Sequence, residues 1–82
     1  MKIVYFASLR ERLGLNEEEV ALPPEARTLA DVIALLAKRD ETYEAVFASG
    51  VFRAALDKTH AKPEAAIEGV KEIAFFPPMT GG

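Results

Sequence analysis

No cysteine occurs among the 82 residues. That absence excludes a disulfide framework, thiolate metal ligation and a cysteine nucleophile, so any sulfur chemistry must use an atom other than a side-chain thiol. Tryptophan is missing too, and the single histidine, His60, has no His or Cys beside it to make a metal-ligating pair. No metal site is expected. Basic residues are outnumbered, ten against thirteen acidic, for a formal charge of −3. That balance gives no electrostatic footprint for a polyanion, and nucleic-acid binding is not expected. No apolar run approaches the roughly 18 residues of a membrane span, and the N-terminal segment lacks the apolar core and cleavage site of a secretory leader. The expectation is a cytoplasmic protein that does not associate with membranes.

What is present is a chain that is half hydrophobic. Its size fits one domain, burying about 60% or a little more of the surface its unfolded form would expose. Lys2 to Phe6 is β-branched and aromatic, with Ile3 and Tyr5 alternating against Val4 and Phe6; two apolar faces predict a central strand. Ser8-Leu9-Arg10-Glu11 has the Ser-x-x-Glu spacing of a capping box, Leu9 and Leu13 share a face, and Gly14 offers a left-handed ending. A short helix is predicted there. Glu17 to Leu22 alternates until Pro23-Pro24 stops the ladder. Thr28-x-x-Asp31 then caps a run in which Leu29, Val32, Ile33 and Leu36 fall at helical spacing, with Lys38 and Arg39 expected in the last turn. Tyr43 to Ala48 allows a further short helical turn, Val51 to Leu56 reads as a third strand, and Ile67 as a buried anchor in a poorly patterned stretch. Glu72 to Phe76 is the last strand.

These elements predict an α+β domain over residues 1–76, with a mixed sheet packed on one main helix and the doubly apolar first and last strands parallel and adjacent at the centre. A β-grasp, ubiquitin-like fold meets those conditions. Residues 77–82, Pro77-Pro78-Met79-Thr80-Gly81-Gly82, form a protruding tail in this reading. Prolines favour an extended path, and six residues reach roughly 20 Å. Gly81 and Gly82 carry no side chain, so the end is thin enough for a narrow channel. A frayed terminus is the plain alternative. The chemical one is a terminal carboxylate presented on a slender arm, activated in a partner's active site and then loaded with a nucleophile such as sulfide.

Phe75-Phe76-Pro77-Pro78-Met79-Thr80-Gly81-Gly82 resembles the F-F-P-P-V-x-G-G ending of the small, sulfur-carrier subunit of molybdopterin synthase, the MoaD family. Phe6-Ala7-x-x-Arg10-Glu11 looks like that family's F-A-x-x-R-E, and Thr28-Leu29 is similar to the opening of its long helix. The family's A-V-N reads Ala55-Leu56-Asp57 here, and its G-D turn reads Gly69-Val70-Lys71; both departures fall in turns. The resemblance implies that an E1-like adenylating enzyme of the MoeB type uses ATP and magnesium to adenylate Gly82. A sulfur donor protein then replaces AMP, leaving a thiocarboxylate. The tail enters a large synthase subunit of the MoaE type, in a heterotetramer, and delivers sulfur to cyclic pyranopterin monophosphate. No permanently bound cofactor is implied, and the general acid and base groups would belong to the large subunit. Carriers for thiamine or transfer-RNA thiolation, a ubiquitin-like modifier conjugated through Gly82, and a plain interaction module remain alternatives.

Gly82 is thus the candidate reactive residue, with Gly81, Thr80, Met79, Pro78 and Pro77 as the segment inserted into a partner. Phe6, Phe76 and Leu56 are candidates for an apolar docking patch, weighed against simple core packing, and Arg10 for an ion pair at its rim. His60 has no neighbouring Cys or His and no acidic residue to orient it, so no functional role is expected of it; of the two functional readings, interface contact ranks above catalysis. Glu17-Glu18-Glu19 reads as a solvated strand entry rather than a docking patch.

Overall fold

The computed structural model describes residues 1–78. The expectations for Met79, Thr80, Gly81 and Gly82 lie outside the described residues. The element order is β1 (Lys2–Tyr5), α1 (Ala7–Leu13), β2 (Glu17–Glu19), α2 (Leu29–Ala37), α3 (Glu41–Phe47), β3 (Arg53–Leu56), β4 (Thr59–Ala61) and β5 (Glu72–Phe76). The strands form one five-stranded sheet in the order β2-β1-β5-β3-β4. β1 and β5 run parallel and adjacent, with Ile3 opposite Ile73 and Tyr5 opposite Phe75, while the other pairings are antiparallel. This is the β-grasp arrangement. No helix among the described residues is long and apolar enough to cross a membrane.

Period-two alternation decides the layering. Ile3, Tyr5, Ile73 and Phe75 point to one face and meet Val32 and Leu36 of α2, all at most 1% exposed. Fully burying a side chain of this size stabilises by roughly 1.5–3 kcal/mol, so these residues hold the helix layer to the sheet. Phe47 of α3 joins them, its ring 5.0 Å from that of Phe75 in a T-shaped contact.

α2 starts where the sequence predicts. The Thr28 hydroxyl accepts from the Asp31 N–H at 3.3 Å, and the Asp31 carboxylate accepts from the N–H groups of Thr28 at 3.0 Å and Arg27 at 2.9 Å. Those donors hold the Asp31 carboxyl below its usual range. The predicted last turn differs: the helix ends at Ala37, Lys38 is its C-cap, and Arg39 turns away to Glu18.

The Ser8 cap does not form. Phe6 stays bonded to the sheet through its N–H to the Phe75 carbonyl at 3.0 Å, and its own carbonyl takes the N–H of Leu9 at 3.1 Å. The chain therefore turns into the helix at Ala7, whose φ is 50, and Ser8 falls inside the first turn. Gly14 ends α1 as predicted, with φ 78 and its N–H on the Arg10 carbonyl at 2.9 Å. β2 is shorter than its alternation suggests. Its last rung beyond Glu19 is the Val20 N–H to the Met1 carbonyl at 2.9 Å.

β4 was not legible in the sequence. It returns from β3 through Asp57 and Lys58, whose φ values of 47 and 71 are the positive angles that two-residue hairpin turns require. The Asp57 carboxylate accepts from the backbone N–H groups of Lys71 at 3.0 Å and Glu72 at 2.9 Å. Both departures from the family pattern meet at this contact, because Asp57 keeps the acceptor and Lys71 supplies a donor. Ile67 is buried, with its N–H on the Arg27 carbonyl at 3.0 Å.

Candidate functional site: the open sheet face

The helices pack on one face of the sheet, and the alternate residues of each strand lie on the other, where Val4 and Phe76 are partly exposed and the small Ala55 and Ala74 are only 6% and 8% exposed between their neighbours. Register places Val4, Ala74, Ala55 and His60 in one row across β1, β5, β3 and β4. Phe76 and Arg53 form the next row, and Phe6, where the chain leaves β1, is 47% exposed. The His60 ring meets that of Phe76 at a centroid distance of 5.3 Å in a T-shaped contact. One edge of the face is charged, with the Lys2 ammonium 3.8 Å from Glu17 and 3.7 Å from Glu72. Ion pairs this exposed contribute little to stability and much to partner choice.

The candidate docking residues separate on this geometry. Phe6 and Phe76 lie at the end of the face where β5 gives way to Pro77 and Pro78, both half-buried. Leu56 does not join them. It stands opposite Ile73 and packs into the core at 9% exposure, because pairing with β5 sends residues 54 and 56 of β3 inward and residues 53 and 55 outward. Ala55 and His60 occupy the positions that a docking role for Leu56 would require. Alternation counted from the Asp57-Lys58 turn is the sequence signal that places His60 on this face. Arg10 is exposed on α1 and forms no ion pair among the described residues.

The acidic run is not uniformly solvated. Glu17 and Glu19 are exposed, whereas the Glu18 carboxylate turns inward and accepts from the hydroxyls of Tyr5 at 2.7 Å and Tyr43 at 2.8 Å and from the Arg39 guanidinium. Burial alone would raise the Glu18 carboxyl, but donation from Arg39, Tyr5 and Tyr43 outweighs it and holds the group below its ordinary value. Burial pushes both tyrosine hydroxyls up, reinforced by the hydrogen bond to Glu18. This cluster ties β2 to the segment between α2 and α3 and lies away from the open face. No group of three His, Cys, Asp or Glu residues among the described residues is placed to hold a metal. The arrangement is suited to docking beside the chain's exit from β5, with no catalytic constellation in the described residues.

The sequence pattern of the ThiS family matches residues 3–82. The molybdopterin synthase sulfur carrier subunit of Haemophilus influenzae is 30% identical over 82 residues, covering 100% of this chain and 99% of that protein. Its counterpart in Chlamydomonas reinhardtii is 32% identical over 84 residues, covering 100% and 98%. Among solved structures, SAMP1 from Haloferax volcanii superposes with a TM-score of 0.75 at 25% identity, covering 100% of this chain and 98% of that one. A Pyrococcus furiosus protein assigned as molybdopterin converting factor, subunit 1, gives 0.73 at 26% identity over 95% of each chain. The chain belongs to the ThiS family and is similar over its whole length to molybdopterin synthase sulfur carrier subunits.

Proposed function

We propose that this chain carries sulfur on Gly82 for the synthesis of molybdopterin, as the small subunit of molybdopterin synthase in the cytoplasm. The observation that carries the reading is the full-length match to proteins named as sulfur carrier subunits, in a family match that extends through Gly82. The open face supports it, since Phe6, Phe76 and His60 offer a partner a grip beside the origin of the tail.

The chemistry follows from the needs of a carboxylate. It is a poor electrophile until an adenylating partner transfers AMP from ATP to one of its oxygens and releases pyrophosphate. Hydrosulfide supplied by the sulfur donor then attacks the acyl carbon through sulfur, the acyl–oxygen bond to AMP breaks, AMP leaves with that electron pair, and a thiocarboxylate remains. Its sulfur is the nucleophile toward the pterin precursor. Once the new carbon–sulfur bond has formed, water attacks the acyl carbon, the acyl–sulfur bond breaks, and the carboxylate returns for another cycle. Gly81 and Gly82 add no side-chain bulk, so activation and delivery can proceed in narrow partner sites. Pro77 and Pro78 reduce the tail's freedom and so the entropy lost on insertion.

Deleting Gly82, or appending one residue after it, is expected to abolish sulfur loading by the adenylating enzyme while thermal unfolding stays unchanged. An extended variant that loads and delivers sulfur at the normal rate would overturn the assignment.

A further inference from the structure

A second surface lies on the helix side of the sheet, where α2 meets β3 and β4. It is a groove of about 470 Å³, with Leu29, Ile33 and Phe52 along its floor and Arg53, His60 and Lys62 among the residues that bound it. Among the described residues no carboxylate lines it, although acidic residues outnumber basic ones in the chain as a whole. Neither Arg53 nor Lys62 forms an ion pair among the described residues. Among the described residues β4 is the terminal strand of the sheet and pairs only with β3, so within them its outer edge is open beside the groove.

These features specify an occupant. An added strand must alternate as β4 does. Its residues on the groove side meet Leu29, Ile33 and Phe52, and its residues on the other side meet the face that carries Arg53 and His60. We infer that β4 and this groove bind an extended segment of a partner protein in which aliphatic residues alternate with carboxylates. Main-chain hydrogen bonds to the strand edge provide attachment, aliphatic side chains fill the groove, and carboxylates meet the unpaired cations. The occupant lies along the β4 edge, with its aliphatic side chains on the helix side and its carboxylates at the Arg53 and His60 end of the open face, which leaves the Val4 and Ala74 part of that face free. The inference does not depend on the sulfur-carrier reading.

The test is a nuclear magnetic resonance titration of the full isotope-labelled chain at low salt, with a blocked hexapeptide of alternating valine and aspartate as probe. Saturable amide shifts are expected in β4, along Gly50 to Ala54 and near Leu29 and Ile33. The exposed double variant Arg53→Glu, Lys62→Glu should bind at least tenfold more weakly while melting like the parent. An alternating valine and lysine peptide should give no saturable shifts. Several outcomes would overturn the inference: no shifts with the aspartate peptide, equal binding of the lysine peptide, shifts centred on Val4 and Ala74, or the same shifts with sodium acetate alone. A concentration-dependent dimer that perturbs β4 without peptide would assign the groove to a second copy and overturn it as well.

Discussion

Replacing Glu18 with alanine should destabilise the fold severely, although Glu18 sits in an acidic run on an edge strand. Its side chain is 15% exposed, and it is the hydrogen-bond acceptor for the hydroxyl of Tyr5, a residue 1% exposed. Removing the carboxylate leaves that hydroxyl buried without a partner, which costs about 1–3 kcal/mol. The Arg39 contact adds only about 0–1 kcal/mol, because the guanidinium is partly solvated, and the Tyr43 hydroxyl can turn to water. The sum is about 1–4 kcal/mol, and a domain of this size loses about 4–8 °C in Tm per kcal/mol, so a fall of roughly 4–30 °C is expected by circular dichroism. A double-mutant cycle isolates the cause: with Tyr5→Phe already in place, Glu18→Ala should cost about 1–2 kcal/mol less. Because the folded Glu18 carboxyl titrates below its ordinary value, its contribution is present above about pH 4.3 and is lost as pH falls through the folded value. The gap between parent and Glu18→Ala should therefore close in acid. Tyr5 acts with the opposite sign: its raised value means stability is lost as pH climbs past about 10. A Glu18→Ala loss below about 0.5 kcal/mol at neutral pH, typical of an unremarkable surface site, would refute the reasoning.

Three further outcomes follow from the same geometry. Thr28→Ala removes one half of the α2 capping box and should cost about 1 kcal/mol in urea unfolding. Asp57→Ala leaves the N–H groups of Lys71 and Glu72 without their acceptor and should cost about 1–2 kcal/mol, whereas Asp57→Asn should restore most of that in the same assay. Leu56→Ala should lose about 2–4 kcal/mol of stability, while Phe6→Ala should leave stability within about 1 kcal/mol and weaken partner binding at least tenfold by calorimetry.

The parts of the fold legible in the sequence were those fixed by local rules. α2 announces itself through Thr28, Asp31 and a helical apolar stripe, and β5 through five residues between a turn and two prolines. What stayed hidden depended on distant partners. Ser8 has the spacing of a cap, but the bond between Phe6 and Phe75 decides where the chain leaves the sheet. Leu56 and Ala55 are adjacent in a strand whose orientation is set by pairing with β5, so the face of the sheet that each takes could not be read locally. β4 has only three residues, and its existence rests on the Asp57-Lys58 turn. Glu18 is indistinguishable in sequence from the carboxylates flanking it; only the inward side of β2 reveals Tyr5, Tyr43 and Arg39.

The central claim, that Gly82 carries the sulfur, is tested most directly by intact-mass measurement of the chain after incubation with an E1-like adenylating enzyme of the MoeB type, ATP and a sulfur donor. The account predicts a gain equal to exchange of one oxygen for sulfur, located at the C-terminal residue by fragmentation and absent when ATP is withheld. An unchanged mass, with a known carrier loaded in the same reaction, would contradict it.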